Sequence, residues 1–477
     1  MPALAEDILS VGIDIGTSTV QLVFSRLTLA NAASAFAVPK IAIVEKTLIY
    51  KSAVYFTPLA SPTEIDAPAL CWIVSAEYDR AGVKAEEVTT GAVIITGDTA
   101  RKSNAAEVLR LMGNLAGEFV VVTAGPDLES VLSGRGAGAG RLSGRENATV
   151  ANLDIGGGTT NISIFRNGEL LAVTCLDIGG RLIKITEGRI SYICGKMQFL
   201  ADRYRLPVKE GAKADAAALR ELCAALVKML EGLFGLREKD DVLPMLFTGG
   251  AKDMQNAFPV DIVTFSGGVA ECIYQNGPDN PFAFDDVGVL LAQEMRKSLF
   301  YDKLRVFCPD ETIRATVAGA GMYATQISGS TVAFDRSVLP VKNIPILKLS
   351  AAEEEKGSIV GAIKKKASFY KTPDGFAHFA LALSGGGYFH FLDIQKLAAL
   401  LLSAMGEALT PEFPLTVILE KDIAQALGNA IRVKAPGRSL VCIDGITPGE
   451  GDYIDIGAPV GGGRVLPVVI KTLVFNR

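Results

Sequence analysis

The sequence predicts an α/β fold made of two related halves, followed by a C-terminal α/β region. An internal repeat is the first reason: Val11–Phe24 recurs as Asn152–Phe165, with Asp14 and Asp154 at equivalent positions 140 residues apart. Strand-like and helix-like segments also alternate along most of the chain, which is typical of α/β folds. Glycine is abundant, at 49 of 477 residues, against a usual share of ~7%. Many backbone segments are therefore expected to form tight turns or close contacts.

Length and repeat together divide the chain into three predicted domains. Since roughly 100–200 residues form one domain, 477 residues are too many for a single core. We expect the first half at residues 1–145, the second half at 146–330 and a C-terminal α/β region at 331–477. Pro340 and Pro345 mark a linker near the start of the last region.

Composition excludes several classes of function. The 47 basic and 52 acidic residues give a net charge of −5 without a basic block, so we expect no nucleic-acid partner. No apolar run reaches the roughly 18 residues that a membrane span needs. The acidic N-terminus does not resemble a signal peptide, and the seven cysteines lack metal-binding spacing. These features predict a cytoplasmic protein that binds no membrane.

Each copy of the repeat predicts a β-hairpin whose tight turn binds phosphate. A Gly/Ser/Thr turn directs backbone N–H groups and hydroxyls toward phosphate oxygens, and glycine lets the backbone approach closely. Ordinary glycine-rich hairpins are the alternative, which two copies in register disfavour. The candidate phosphate-binding residues are Gly16, Thr17, Ser18 and Thr19 in the first copy and Gly156, Gly157, Gly158, Thr159, Thr160 and Asn161 in the second.

An aspartate ends the first strand of each hairpin. Asp14 and Asp154 cannot contact phosphate without repulsion, but they can hold Mg²⁺, often through water, because Mg²⁺ needs few carboxylates. They are the candidate metal ligands.

A third glycine motif follows a strand at Ser266. Its residues Gly267, Gly268, Val269 and Glu271 predict a strand–turn–helix element, against which a nucleoside can lie. Alone, such a motif is more often a packing turn. Its place after the two hairpins strengthens the nucleotide-binding interpretation.

These three motifs, in this order, resemble those of the actin/Hsp70/sugar-kinase superfamily. In that superfamily, two duplicated ribonuclease-H-like domains enclose ATP. Asp14–Thr19 and Asp154–Asn161 look like its two phosphate loops, Ser266–Glu271 like its adenosine loop, and Ala315–Met322 like its second connecting helix. The resemblance implies a cleft that binds ATP with Mg²⁺ and closes on binding.

A more specific resemblance covers nearly the whole chain. Val93–Lys102, Asn152–Asn161, Glu450–Gly457 and Val468–Phe475 are similar to segments of the ethanolamine ammonia-lyase reactivating factors, the EutA family. That resemblance implies a chaperone that uses ATP and Mg²⁺ to release damaged cobalamin from ethanolamine ammonia-lyase, so that intact coenzyme can enter. The lyase would then be the protein partner, in the cytoplasm or associated with a bacterial microcompartment.

The sequence leaves open which residue orients the water that attacks ATP during hydrolysis. Relatives often carry a Glu-Pro pair ahead of the second phosphate loop, whereas this chain has Gly125-Pro126. Glu129, three residues further on, is one candidate, and Asp98, in a turn after a predicted strand, is the other.

Rival functions also stay open, namely a small-molecule kinase of the same superfamily and an actin-like filament protein. A homo-oligomer is compatible with each.

Two local features complete the sequence-based expectations. The Arg135–Arg145 segment is rich in glycine and arginine and is expected to be a mobile surface linker, with a phosphate-contacting or partner-contacting role as the alternative. Trp72 lies in an apolar segment and is expected to pack in a core.

Overall fold

The computed structural model describes most of the chain. The described residues are 6–17, 19–33, 40–61, 63–96, 99, 102–115, 120–123, 126–248, 251, 253–254, 259–275, 277–355, 358–372, 375–388, 390–409 and 411–472.

The first half contains a mixed sheet with the strand order β3-β2-β1-β7-β8, and β4 pairs with β2. Strands β1, β2 and β3 are antiparallel neighbours, whereas β7 and β8 continue the sheet parallel to β1. Its elements are β1 (Glu6–Ile15), β2 (Thr19–Asn31), β3 (Ile41–Lys51), β4 (Tyr55–Phe56), β5 (Leu59–Ser61), β6 (Glu64–Ile65), α1 (Ala67–Ala81), β7 (Val88–Ile95), α2 (Ala105–Leu115), β8 (Val120–Thr123), α3 (Pro126–Gly136) and α4 (Ala139–Glu146).

The second half repeats this topology. Its sheet has the order β11-β10-β9-β14-β15, again with three antiparallel strands followed by two parallel ones. Its elements are β9 (Thr149–Ile155), β10 (Thr160–Arg166), β11 (Glu169–Leu176), β12 (Ile183–Thr186), β13 (Arg189–Ile193), α5 (Gly195–Arg203), α6 (Ala216–Leu233), α7 (Leu243–Leu246), β14 (Ile262–Ser266), α8 (Gly268–Tyr274), α9 (Gly288–Met295), α10 (Leu299–Lys303), β15 (Arg305–Phe307) and α11 (Ala315–Tyr323).

Register shows how closely the two halves correspond. Asp14 lies opposite Gln21 across β1 and β2, and Asp154 lies opposite Asn161 across β9 and β10. Strands β1 and β9 are rich in apolar and β-branched residues, which favours a buried position in a sheet. Every residue of β9 is buried. The predicted duplication of a ribonuclease-H-like fold is therefore confirmed.

Helices α3 and α11 cross between the halves. Helix α3 follows the first sheet but packs on β9, β10 and β11, whereas α11 follows the second sheet but packs on β1, β2 and β7. The two helices also pack on each other, and small residues allow this close approach. A Cβ atom at Gly319 would lie 2.0 Å from the Leu132 carbonyl oxygen, and one at Gly136 would lie 1.9 Å from that of Ala315. The crossing is therefore a backbone-to-backbone contact.

The C-terminal part of the chain forms an eight-stranded sheet with the order β16-β25-β24-β18-β21-β22-β23-β17. Strands β18, β21, β22 and β23 are parallel, and the helices α12, α13 and α14 pack on this part of the sheet. The elements are β16 (Gln326–Ile327), β17 (Ala333–Phe334), β18 (Val341–Lys348), α12 (Ile359–Ala367), β19 (Lys371–Thr372), β20 (Gly375–Phe376), β21 (Ala380–Leu383), α13 (Phe391–Met405), β22 (Leu415–Leu419), α14 (Ala424–Lys434), β23 (Leu440–Asp444), β24 (Asp452–Ile456) and β25 (Pro467–Thr472).

This third sheet is joined to the first half. Ile41 N–H donates to Ser330 Oγ at 2.8 Å, and Gly462 N–H donates to Glu6 Oε2 at 2.9 Å. A shared apolar cluster lies beside these bonds, formed by Ile8, Leu27, Leu29, Val460 and Val465.

Both local expectations were wrong. The Arg135–Arg145 segment is not a linker: it comprises the end of α3 and most of α4, with Leu142 and Ser143 buried, because its glycines serve close helix packing. Trp72 is 67% exposed on α1.

Along the described residues, no helix combines the length and the apolar character needed to cross a membrane.

Candidate functional site

A cleft with a volume of about 370 Å³ lies between the two repeated sheets. Both predicted hairpins and the third glycine motif border it. Of the predicted site residues, the structure brings together Asp14, Gly16, Thr17, Thr19, Glu129, Asp154, Gly156, Gly157, Gly158, Thr159, Gly267, Gly268, Val269 and Glu271.

The two hairpin turns are closed in the same way. Gly16 N–H donates to the Thr19 carbonyl and Gly156 N–H donates to the Thr159 carbonyl, each at 2.9 Å. The second turn is further braced because Arg181 N–H donates to the Gly157 carbonyl at 2.7 Å. Two equivalent, rigid turns therefore line opposite sides of one cleft.

Two of the described predicted residues, Thr160 and Asn161, are not among the residues that line the cleft. Thr160 is buried and its hydroxyl donates to the Ile178 carbonyl at 2.8 Å, and Asn161 is buried beside Asp154. Successive side chains of a strand point to opposite faces, so Thr160 points away from the face that carries Asp154, whereas Asn161, directly opposite Asp154, shares that face. Ser18 and Asp98 lie outside the described residues.

Three carboxyl groups face one another in the cleft. Burial, with repulsion from Asp154, raises the pKa of Asp14 to about 7. Burial raises the pKa of Asp154 to about 6, although the Ser266 hydroxyl donates to its Oδ1 at 2.6 Å. Burial and the charges of both aspartates raise the pKa of Glu129 well above its usual value. The cleft is therefore short of positive charge.

This donor set fits a hydrated Mg²⁺ ion. Nowhere in the described part of the chain do three or more acidic, histidine or cysteine side chains converge closely enough to hold a metal by themselves. Mg²⁺ does not need such a cage, because it keeps several waters and binds one or two carboxylates together with phosphate oxygens. The buried oxygens Gln21 Oε1 and Asn161 Oδ1, beside the two aspartates, have no hydrogen-bond partner. Both remain available to water around an ion.

The third glycine motif forms the predicted turn. Strand β14 ends at Ser266, and Gly267 adopts a φ of +86° just before α8, a conformation that favours glycine. A Cβ atom at Gly267 would lie 2.5 Å from the Ile155 carbonyl oxygen, whereas one at Gly268 would meet nothing within 4 Å. Gly267 thus packs on the second hairpin, while Gly268 leaves open space for a ligand.

Sequence reasoning missed several side chains of the cleft, among them Phe56, Arg181, Phe284 and Asp286. Arg181 Nε donates to Asp286 Oδ2 at 3.4 Å, and the Arg181 guanidinium carbon lies 5.9 Å from the centre of the Phe56 ring. Phe56 belongs to the first half and Arg181 to the second, so this contact crosses the cleft.

A sequence signal for this region existed. The five residues of Leu153–Gly157 occur again, unchanged, at Leu176–Gly180, immediately before Arg181. The second occurrence braces the phosphate turn of the first, because Gly180 N–H donates to the Gly156 carbonyl at 3.1 Å.

The raised pKa values predict that the metal-free protein loses stability as pH rises. An unfolded aspartate ionises near pH 4, so the folded state holds more protons between that pH and about 7. Stability conferred by these groups therefore falls across this window. Thermal unfolding should show a lower Tm at pH 8 than at pH 6, and Asp14→Asn should lessen the difference. If the wild type and Asp14→Asn showed the same Tm difference between pH 6 and pH 8, the raised pKa of Asp14 would not be its cause.

Two sheets of the same topology, joined by crossing helices around this cleft, define the actin/Hsp70/sugar-kinase class of fold. The comparison with protein families identifies the particular branch. The model of the family described as ethanolamine utilisation protein EutA matches residues 6–476, and the chain belongs to the EutA family.

Curated relatives agree with this assignment. The chain is 35% identical to ethanolamine ammonia-lyase reactivase EutA of Salmonella typhimurium and 34% identical to that of Escherichia coli, in each case over 98% of both chains. Among solved structures, a Ppx/GppA family member of Aquifex aeolicus is similar with a TM-score of 0.40 and 15% identity, over 66% of this chain and 97% of that chain.

Proposed function

We propose that this protein reactivates ethanolamine ammonia-lyase in a cycle driven by Mg²⁺ and ATP, releasing damaged cobalamin so that intact coenzyme can rebind. The reactivating role follows from the full-length relatives, which carry the name ethanolamine ammonia-lyase reactivase. The nucleotide dependence rests on one observation: two aspartate-containing hairpins of the same geometry face one cleft, beside a turn with open space at Gly268.

In this proposal, the backbone of the two hairpin turns holds the phosphates. The N–H groups of Gly16 and Gly156 close the two turns, and the lack of side chains at Gly16 and Gly156–Gly158 lets an anion approach the remaining backbone N–H groups of the turns. Asp14 and Asp154 would hold Mg²⁺, whose charge offsets that of the phosphates. Gly267, Gly268 and Val269 would border the nucleoside.

Glu129 is the proposed water-orienting residue. It lines the cleft with both aspartates, and its carboxyl group is stabilised in the protonated form by burial and by their charges. A cation between the aspartates would remove this repulsion and let Glu129 accept a proton from water. Asp98 remains the competing candidate.

Cleft closure would connect nucleotide binding to the lyase. Helix α3 carries Glu129, and α11 carries Thr316, whose hydroxyl donates to Asp154 Oδ2 at 3.3 Å. A movement of the second hairpin would therefore reach α11 through this hydrogen bond. Nucleotide changes the lyase only if the closed and open states bind it with different affinity.

The test is a reactivation assay. Lyase inactivated with a damaged cobalamin is incubated with this protein, intact coenzyme and either ATP with Mg²⁺, or no nucleotide. We expect lyase activity to recover with ATP and Mg²⁺ and to stay near the starting level without them. Equal recovery in both samples would sink the nucleotide dependence. A phosphorylated small molecule would instead favour a kinase, and sedimenting polymers would favour a filament protein.

The family name places the protein in ethanolamine utilisation. We propose a cytoplasmic location, alone or with a bacterial microcompartment.

A further inference from the structure

A group of cations lies near Tyr323, the last residue of α11. Lys46 Nζ lies 3.9 Å from the centre of the Tyr323 ring, and the Arg135 guanidinium carbon lies 5.8 Å from it. Arg141 is close enough to Lys46 to act on its charge. We call Lys46, Arg135, Arg141 and Tyr323 the Tyr323 cluster.

The positive charge of this cluster is only partly balanced. Arg141 pairs with Asp310 at 2.5 Å, but across the described residues no carboxylate forms an ion pair with Lys46 or Arg135. Burial and the two neighbouring arginines lower the pKa of Lys46 to about 8. A protein of net charge −5 thus keeps two cations together at a partly desolvated site.

Helix dipoles do not remove the imbalance. The C-terminal end of α3, at Gly136, packs against Ala315 at the start of α11, so the negative end of one helix dipole lies beside the positive end of the other. The C-terminal end of α11, at Tyr323, acts on the cluster as roughly half a negative charge, which does not balance two cations.

We propose that the Tyr323 cluster is a docking site for an acidic segment of the protein partner, with one carboxylate bound between Lys46 and Arg135. An arginine and a lysine over an aromatic ring suit this ligand, because hydrogen bonds between ionised partners are the strongest of their kind. The identification of the partner as the lyase rests on the proposed function.

The Tyr323 cluster and the cleft share two helices, so docking at the cluster would act on the nucleotide site. Arg135 lies one residue before the end of α3, which carries Glu129, and Tyr323 ends α11, which carries Thr316, so each helix has one residue in the cluster and one at the cleft. A partner bound at the cluster would bias the angle between these helices. Thermodynamic linkage makes this effect reciprocal. If a bound partner changed the affinity for nucleotide by some factor, bound nucleotide would change the affinity for the partner by the same factor.

The test compares the double variant Lys46→Gln/Arg135→Gln with a matched control, Lys184→Gln/Arg305→Gln. The control also removes one lysine and one arginine that lie over aromatic rings, at 5.6 Å from Tyr192 and 5.9 Å from Phe307. Binding of a fluorescent glutamate-rich peptide is followed by anisotropy, and binding of the lyase by biolayer interferometry, both at 50 and 300 mM NaCl.

We expect the cluster variant to bind both probes at least 10-fold more weakly than the wild type at 50 mM NaCl, with the control variant within about 2-fold. Its nucleotide turnover without lyase should be unchanged. Equal peptide binding by the cluster variant and the wild type, or an equal loss in the control variant, would overturn the docking site. If the wild type binds the peptide through the cluster but neither binds nor reactivates the lyase, the proposed function fails and the acidic docking site stands.

Discussion

Replacing Asp14 or Asp154 by asparagine is expected to lower Mg²⁺-dependent nucleotide turnover by about 100-fold or more. A carboxylate that holds a metal supplies charge that an amide lacks, and loss of one preorganised electrostatic group typically costs 10²–10³ in rate. Steady-state phosphate release over a range of Mg²⁺ concentrations measures the effect. The apparent affinity for Mg²⁺ should fall together with the rate.

The same substitutions should not damage the fold. Burial raises the pKa of both groups, and repulsion from Asp154 adds to the shift of Asp14, so a neutral side chain at either position removes a buried charge in the metal-free protein. We expect the Tm of each variant at pH 8, without metal, to equal or exceed that of the wild type. Glu129→Gln should retain nucleotide binding while turnover falls, because that residue is assigned to water rather than to the ion. Unchanged turnover in both aspartate variants would show that the clamp is misassigned.

Gly319→Ala is expected to destabilise the protein by about 3 kcal/mol, although alanine is the better helix former. Its Cβ atom would lie 2.0 Å from the carbonyl oxygen of Leu132. Because that atom belongs to the backbone, no rotamer change can relieve the overlap, and the crossing helices must separate. Urea unfolding followed by circular dichroism measures the loss.

Gly361→Ala, in α12, is the control for this substitution. A Cβ atom at Gly361 would meet nothing within 4 Å, so the usual helix preference should stabilise the protein by about 0.5–1 kcal/mol. If both substitutions destabilised the protein equally, the loss of stability in Gly319→Ala would not come from the close crossing of α3 and α11.

The duplicated fold was predictable because its signal is local. A strand that ends in aspartate, a glycine turn and a second β-branched strand occur within about fourteen residues, and the two copies could be compared directly. The same local pattern drew attention to Asp14, Asp154 and the glycine turns, which lie together at one cleft.

Features that depend on distant parts of the chain were not predictable in this way. The contact between Phe56 and Arg181 forms only when the halves face each other. Glycines between Arg135 and Arg145 suggested mobility, yet Gly136 packs against Ala315, which is far away in sequence. Trp72 shows the opposite error, since an apolar segment can place its largest side chain outward when smaller neighbours fill the core.

The attachment of the third sheet to the first half would give the C-terminal region a mechanical part in the proposed cycle. Its hydrogen bonds run to Glu6 and Ile41 of the first half, so a rotation of the first half in the proposed cycle would carry this region along. Displacement grows with distance from a rotation axis. A small change in the angle between the crossing helices would therefore displace the outer edge of this sheet more than the residues near the helices. In the proposed cycle, the C-terminal region would apply that displacement to a bound enzyme.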